Sequence, residues 1–329
     1  MSDLFLLLVI ILAALVYDFF NGFNDCANAI ATTVSTRALS PRGAIALSRT
    51  LNFVGALSHT AVASTIGKGV IDPQYVDLPL VLMALIGAIA WTAFASFSGI
   101  PVSVSHSLIG GILGAGIAAA GIKSVMMHGV RKIAIAMLVS PLFGFLGGLL
   151  LIVLLSWFFK NSPPKKLNKN FKRLQILSAA WMSFSHGMND AQNAMGIITM
   201  ALVSYGALAA FKVPLWVMLA CATVMGLGTS MGGWKVIKTM GSKMFKLQPV
   251  HGFSAETSAA TVIAGMSLLG IPISTTHVIS TAIMGAGSST RLSAVRWGIV
   301  KNIVIAWIIT IPASGGAAAL IYLINQFLF

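Results

Sequence analysis

The sequence predicts an all-α polytopic membrane protein, built from two inverted-topology repeats of transmembrane helices with broken or re-entrant helix hairpins. Three observations lead to this prediction: an apolar composition, polar motifs that occur twice, and opposite loop charges in the two halves. Of the 329 residues, 57% are hydrophobic and 9% are charged, and the mean hydropathy is +0.92. Soluble domains carry roughly 25% charged residues, so the composition excludes a soluble globular protein.

Apolar runs of membrane-spanning length, roughly 17–25 residues, occur along the whole chain. They lie at about 4–20, 43–66, 79–98, 101–120, 132–159, 174–205, 214–233, 254–269, 272–288 and 297–328. Because several are interrupted by Gly or Pro, about 10–12 membrane segments are expected. The first run follows Met1-Ser-Asp3 without a basic region or a cleavage site, which predicts a retained helix rather than a signal peptide.

Two polar motifs occur twice in the same order. Gly22-Phe-Asn-Asp-Cys-Ala-Asn-Ala29 pairs with Gly187-Met-Asn-Asp-Ala-Gln-Asn-Ala194, and Gly99-Ile-Pro-Val-Ser-Val-Ser-His106 pairs with Gly270-Ile-Pro-Ile-Ser-Thr-Thr-His277. Apolar helices share scattered Gly and Ala by chance, but they do not share polar motifs in register. The chain is therefore predicted to be a duplication. Residues 1–159 form the first repeat, residues 160–173 a basic cytoplasmic linker, and residues 174–329 the second repeat.

Loop charges predict that the two repeats are inverted. The loop after the first motif is basic in the first repeat and carries a single Lys in the second, and the bias reverses at the following loop. If basic loops face the cytoplasm, residues 37–42, 160–173 and 234–250 lie inside, whereas residues 67–78 and 206–213 lie outside. Inverted repeats are an architecture of secondary transporters. Both termini are predicted outside, in a multi-pass protein of the cell (inner) membrane.

The net charge of +14 does not indicate a nucleic-acid partner. The Lys and Arg residues cluster between apolar runs, most densely at residues 160–173, and the preference of basic loops for the cytoplasm explains that clustering. The two cysteines, Cys26 and Cys221, lie in separate apolar segments, where they are interpreted as small buried residues.

Four of the seven acidic residues lie in apolar surroundings: Asp18, Asp25, Asp190 and Glu256. On insertion scales, an acidic residue near the centre of a membrane helix costs roughly 2.5–3.5 kcal/mol. Each of the four therefore needs a partner or a function.

The first motif places carboxylate and amide oxygens on one face of a helix, because residues three and four apart are neighbours there. The cluster occurs in both halves, as Asn24, Asp25 and Asn28, and as Asn189, Asp190, Gln192 and Asn193. Bonding between helices explains a lone buried Asn, but it explains duplicated carboxylate–amide clusters poorly. Such oxygens suit Na⁺ or a transferred proton. No Cys/His set has zinc-like spacing, so no cofactor is predicted.

The second motif predicts a helix that ends at Gly-Ile-Pro and restarts at the hydroxyl residues. Pro lacks an N–H, and the residue before it avoids the helical conformation. Ser and Thr suit the start of a helix, where backbone N–H groups are unsatisfied and attract anions. In lipid, such a break must line a cavity or be buried in protein. One copy alone could be a plain helix start in a loop, but two copies favour an oxyanion site formed by Ser103, Val104, Ser105, Ser274, Thr275 and Thr276.

With Phe253-Ser-Ala-Glu-Thr-Ser258, these motifs resemble the inorganic phosphate transporter (PiT) family, in its small bacterial form, over nearly the whole chain. The resemblance implies a homodimeric, cation-coupled phosphate symporter in the lipid bilayer, with re-entrant hairpins that meet near the midplane. The implied substrate contacts are Ser103, Val104, Ser105, Ser274, Thr275, Thr276, Asn24, Asp25, Asn189 and Asp190. The implied coupling residues are Asp25, Asn28, Asp190, Gln192, Asn193 and Glu256. Bacterial members often have His or Thr where this chain has Asn24 and Cys26, so both Na⁺ and H⁺ remain candidate coupling ions.

A physical argument favours phosphate over sulfate. At neutral pH phosphate keeps a P–OH donor, whereas sulfate has none, so a carboxylate beside the anion accepts from phosphate and repels sulfate. The sequence therefore predicts phosphate import by Na⁺ or H⁺ symport. A sulfate or metal-phosphate permease of the same fold and an anion channel are the alternatives. A membrane enzyme acting on phosphoesters is disfavoured, because the sequence shows no clear nucleophile. The roles of Asp18, Arg49, His106 and His277 stay open.

Overall fold

The computed structural model describes residues 3–328, so residues 1–2 and 329 of the predicted repeats lie outside the described residues. Within this range the chain is almost entirely helical. No β-strand forms among these residues, and a single bridge joins Ile71 and Val125. The all-α prediction is therefore confirmed.

The helices follow the same order in the two halves. The first half contains α1 (Asp3–Ser35), α2 (Pro41–Ala56), α3 (Ala61–Gly69), α4 (Leu78–Ser98), α5 (Val104–Ala120) and α6 (Met127–Phe158). The second half contains α7 (Pro164–Ser204), α8 (Leu215–Met231), α9 (Trp234–Lys238), α10 (Pro249–Leu268), α11 (Thr275–Ser288) and α12 (Trp297–Leu328). Helix α9 continues as a π-helical turn, Thr239–Lys243.

Four of the described helices, α1, α4, α6 and α12, are long and apolar enough to cross a membrane. Helix α8, together with α9 and its π turn, makes a fifth if the pair counts as one span bent by 62°. The ten predicted apolar runs therefore do not all form continuous spanning helices. The run 43–66 is divided between α2 and α3, because Ser58 and His59 bond the backbone locally at Gly55 and Ala61 instead of continuing the helix.

The basic segment 160–173 is largely helical. Helix α6 ends at Phe158 and α7 begins at Pro164, whose fixed backbone suits the first turn of a helix. Phe171 is already buried in the protein, so the helix starts to pack before the basic segment ends. The 41-residue helix α7 thus runs continuously from the basic segment through the second Asn-Asp motif.

The two halves interlock through close helix crossings. Helix α1 packs on α8, and α7 packs on α2. The motif glycines make these contacts: a Cβ atom on Gly22 would lie 2.2 Å from the Met225 carbonyl oxygen, and one on Gly187 would lie 2.1 Å from that of Asn52. Only glycine permits such close backbones, so the first glycine of each motif brings α1 and α7 into the centre of the protein.

Equivalent turns end α4 and α10. Gly99 and Gly270 have φ angles of +73° and +66°, a region that glycine adopts without strain. The Ile100 N–H donates to the Ala95 carbonyl, which caps the end of α4, and an equivalent bond follows Gly270. Short non-helical segments, 99–103 and 270–274, then lead into α5 and α11.

Candidate functional site

The N-termini of α5 and α11 are capped in the same way. The Ser103 Oγ atom accepts from the His106 N–H at 3.2 Å, and the Ser274 Oγ atom accepts from the His277 N–H at 3.1 Å. We call residues 103–105 and 274–276 the two tips. Each residue of the tips is at most 3% exposed. The tips therefore lie inside the protein and not in bulk solvent.

The two tips meet. The Thr276 hydroxyl of one lies 3.1 Å from the Val102 carbonyl oxygen, directly before the other. The rings of His106 and His277 lie edge to face, with their centroids 4.7 Å apart. Trp307 stacks on His277, with centroids 3.9 Å apart. The electropositive N-termini of α5 and α11 thus lie next to each other in the protein interior.

Asn24 and Asn189 bind the Asn-Asp motifs to the segments before the tips. The Asn24 amide donates to the Val102 carbonyl at 3.3 Å, and the Asn189 amide donates to the Ile273 carbonyl at 3.1 Å. The same amides also donate to the adjacent carboxylates, to Asp25 at 2.8 Å and to Asp190 at 2.6 Å. Both carboxylates are thereby held beside the tips.

One tip contacts the carboxylates of both halves. The Thr276 hydroxyl donates to Asp25 at 3.0 Å, and the Thr275 hydroxyl donates to Asp190 at 2.8 Å. These two acids are at most 2% exposed. We call Asp25 and Asp190, with His186 described below, the acidic centre.

The second Asn of each motif reaches the tip of the other half. The Asn28 amide donates to Thr275 and Thr276 at 3.1 and 3.0 Å, and the Asn193 amide donates to Ser105 at 2.7 Å. Among the described residues, the amide oxygens of Asn28 and Asn193 accept no hydrogen bond. Carbonyl-type oxygens beside carboxylates are suitable cation ligands.

His186, to which the sequence alone assigns no role, completes the acidic centre. Its Nε2 atom lies 3.1 Å from an oxygen of Asp190, and its Nδ1 atom lies 3.1 Å from the side-chain oxygen of Asn52. Ligand atoms of Asp25, His186 and Asp190 lie within 4.8 Å of one another. In the register that pairs Gly22 with Gly187, His186 matches Asn21, so the two halves differ here. An imidazole and two carboxylates this close together can hold a cation or a proton.

Glu256 lies in a separate polar pocket beside α1. Its carboxylate accepts from the Thr33 hydroxyl at 2.6 Å and from the Gln175 amide at 3.2 Å, and also from the hydroxyls of Thr32 and Ser178. We call these five residues the Glu256 pocket. Glu256 is fully buried, and its four partners are uncharged.

The Glu256 pocket has no polar counterpart in the first half. In the register that pairs Gly99 with Gly270, Glu256 matches Leu85. In the register that pairs Gly22 with Gly187, Thr32 and Thr33 match Ile197 and Ile198. These three apolar residues are fully buried in a hydrophobic core. The equivalent position on the other side of the acidic centre is therefore apolar.

Gln192 does not join the predicted cation ligands Asp25, Asn28, Asp190 and Asn193. Its oxygen accepts from the Ala63 N–H at 3.0 Å, and its nitrogen lies 2.9 Å from the His59 ring, so it caps the start of α3. The reason is the helical spacing: two residues after Asp190, a side chain points to nearly the opposite face. The remaining predicted residues of the motifs and tips come together.

Several residues of the site escape sequence reasoning because their partners are distant along the chain. Ser96 and Ser267 donate to the amide oxygens of Asn24 and Asn189 at 3.1 and 3.0 Å. Their equivalence could have been found by extending the register of the second motif backwards. Tyr17, whose hydroxyl donates to the Val104 carbonyl at 3.0 Å, has no such repeated partner.

Comparison with known proteins identifies the family. The sequence profile described as the phosphate transporter family matches residues 21–169 and 159–318. The chain belongs to the phosphate transporter family. This membership confirms the resemblance read from the motifs, and since the relatives are transporters, the protein is not an enzyme.

Relatives in the phosphate transporter family match nearly the full chain. A protein of Bacillus subtilis (strain 168) is 48% identical over 329 residues, covering 99% of each chain, and one of Rhizobium meliloti (strain 1021) is 47% identical over 319 residues, covering 96% of each. Both are named probable low-affinity inorganic phosphate transporters. A solved structure, described as "The sodium-dependent phosphate transporter", has a TM-score of 0.90 at 28% identity, covering 98% of this chain and 100% of that one.

Proposed function

We propose that this protein imports inorganic phosphate across the cell membrane by symport with Na⁺ or H⁺. The observation that carries the proposal is the meeting of two capped helix N-termini with the carboxylates of both Asn-Asp motifs, all buried. The names of the relatives and of the similar solved structure support phosphate as the substrate.

Phosphate binds between the two tips. The first N–H groups of a helix have no partners inside it, and the helix dipole favours an anion there. Tip residues add the hydroxyls of Ser105, Thr275 and Thr276, which now bond the motif side chains. Binding exchanges these bonds for bonds to the anion. Ser103, Val104 and Ser274 contribute as cap and backbone, with the amides of Asn24 and Asn189 alongside.

Selectivity for phosphate follows from the carboxylates beside the tips. Asp25 and Asp190 each lie within hydrogen-bond distance of a tip hydroxyl, so an anion held by those hydroxyls lies next to acceptors. A P–OH group donates to such an acceptor, whereas sulfate has no proton to offer. Sulfate is therefore rejected at this site.

Charge balance requires a cation to travel with the anion. Among residues 3–328 one ion pair forms, between His186 and Asp190, and no Lys or Arg contacts the acidic centre. Phosphate beside Asp25 and Asp190 would leave several negative charges in a low-dielectric interior, which is strongly unfavourable. Cations held by Asp25, Asn28, Asp190 and Asn193 neutralise them, and the Glu256 pocket holds a further one.

A metal-phosphate carrier is the second candidate, favoured by His186. Imidazole nitrogen together with two carboxylates suits divalent transition metals better than it suits Na⁺. In this version a divalent cation bound by Asp25, His186 and Asp190 enters together with phosphate.

The membrane topology proposed from the loop charges accommodates this site. Residues 37–42, 160–173 and 234–250 face the cytoplasm, both termini lie outside, and the two repeats are inverted. The helix breaks of α2–α3, α4–α5, α8–α9 and α10–α11 then lie within the bilayer. The segments that lead into the two tips, 101–103 and 272–274, are buried in protein as the bilayer demands. The protein is proposed to act as a homodimer, with each protomer carrying its own site.

Uptake of radiolabelled phosphate into proteoliposomes tests the proposal. We expect accumulation above equilibrium under an inward Na⁺ or proton gradient, with little inhibition by a tenfold excess of sulfate. Removing divalent ions with a chelator separates simple symport from metal-phosphate transport, because only uptake of a metal–phosphate complex would stop. Equilibration without accumulation under either gradient would indicate a channel and reject the symporter.

A further inference from the structure

A groove on the surface of the protein lies between α12, the α4–α5 break and the π turn after α9. Its volume is about 630 Å³. One wall is a row of apolar residues on α12, comprising Ile299, Ile303, Ala306 and Ile309, and Trp91 of α4 closes the far end. Gly99, Ile100 and Pro101 form the floor. The groove is separate from the acidic centre, and no residue of the two tips lines it.

The groove has the length of one lipid leaflet. From Ile299 to Ile309 a helix rises about 15 Å. The hydrocarbon core of a bilayer is roughly 30 Å thick, so this wall spans about half of it. In the orientation proposed above, α12 begins at the cytoplasmic side, and the groove runs from that surface to the midplane. A single acyl chain fits an apolar channel of this length.

The cytoplasmic end of the groove is positively charged. Lys243 lines it, and the Arg296 guanidinium donates to the Lys243 carbonyl at 3.4 Å. Lys301 and Asn302 lie exposed on α12 at the same end. After Asp190 the sequence contains a single acidic residue, the buried Glu256. The positive charge at this end is therefore uncompensated by the protein.

We propose that the groove binds one anionic phospholipid of the cytoplasmic leaflet, with an acyl chain along α12 and the headgroup phosphate at Lys243. A second copy of the chain fits less well, because a two-fold contact through this face would bring Lys243 and Arg296 close to their own copies. The proposal rests on the orientation given under the proposed function, and it does not depend on phosphate transport.

The bound lipid would contact the backbone that leads into one tip. The Thr239 hydroxyl donates to the Gly99 carbonyl at 3.1 Å, and the Trp307 indole donates to the Pro101 carbonyl at 3.0 Å. Both carbonyls belong to the floor of the groove, so an occupied groove steadies the α4–α5 break.

Quenching of Trp91 fluorescence by lipids brominated on the acyl chain tests the proposal. The protein in nanodiscs is compared with Trp91→Phe, and the difference isolates Trp91 from the other tryptophans. The apparent affinity obtained from this quenching is expected to be about fivefold higher for brominated phosphatidylglycerol than for brominated phosphatidylcholine. A difference of this size is what one basic residue at the membrane surface contributes. Lys243→Gln should abolish this preference, and Ala306→Phe, which fills the groove, should abolish the quenching.

Lys212→Gln, which removes an exposed charge from the opposite face, is the matched control and should keep the preference. Equal quenching by the two lipids would mean that the groove holds only bulk lipid. Absence of quenching in the unaltered protein would mean that another chain covers it. Either result overturns the proposal. A preserved lipid preference in a protein that fails to accumulate phosphate would reject the transport proposal and leave the lipid site standing.

Discussion

Replacing Asp190 by Asn is expected to lower cation-driven phosphate uptake by about a hundredfold or more. Asp190 accepts from Thr275, lies 3.1 Å from His186, and shares the acidic centre with Asp25. An amide keeps the shape of the side chain but removes its charge, so it binds a cation weakly and offers one acceptor oxygen instead of two. In the proposed symport, transport requires the bound cation, so uptake is expected to fall even if phosphate still binds.

Asp25→Asn should produce a loss of similar size, since Asp25 holds the equivalent place in the first half. Asp72→Asn is the matched control: Asp72 caps a turn in a loop, where Asn caps equally well. Each variant is reconstituted at equal protein content, and initial uptake is measured under Na⁺ and proton gradients. Normal concentrative uptake by both Asp25→Asn and Asp190→Asn would show that these carboxylates are structural.

Replacing Glu256 by Gln is expected to change the cation dependence of uptake more than the phosphate dependence. Among residues 3–328, the hydrogen-bond partners of the buried Glu256 carboxylate are all neutral, so a bound metal cation or a proton supplies its counter-charge in the proposed mechanism. Loss of one charge-assisted contact raises the cation concentration for half-maximal uptake by about 10–100-fold. The phosphate KM should change less, because the tips lie outside the Glu256 pocket.

The matched control for Glu256 is Ser258→Ala, two residues further along α10. The Ser258 hydroxyl has no partner among the described residues, so its removal costs no hydrogen bond. Uptake is measured as a function of cation concentration at saturating phosphate, and then as a function of phosphate concentration at saturating cation. An unchanged cation curve for Glu256→Gln would mean that this acid holds no cation, and a rise in phosphate KM alone would place it in phosphate binding instead.

Much of the fold and the centre could be predicted because they depend on repeated local patterns. Gly-Ile-Pro-x-Ser dictates where one helix stops and the next is capped, and the structure shows that turn at both Gly99 and Gly270. Asn-Asp-x-x-Asn sets one polar face of α1 and of α7. The predicted duplication, with polar residues that must be buried, favours an arrangement of those residues around a shared centre.

The features that escaped prediction depend on contacts between distant segments. Hydropathy shows an apolar run at 43–66, but the division at residues 57–60 depends on side chains that bond their own backbone. No sequence pattern distinguishes His186 from the other histidines. Its place in the site depends on the fold, in which Asn52 of α2 lies against it. The four partners of Glu256 come from α1 and α7, and no local spacing links them to α10.

Anomalous diffraction from crystals soaked with arsenate, a tetrahedral analogue of phosphate, tests the central claim most directly. Arsenic scatters anomalously, so its position is found independently of the protein density. We expect one strong peak between the two tips, within hydrogen-bond distance of both Ser105 and Thr276 and beside the acidic centre. A peak at a single tip, or one bound by surface lysines with Thr276 still bonded to the Val102 carbonyl, would contradict a shared anion site.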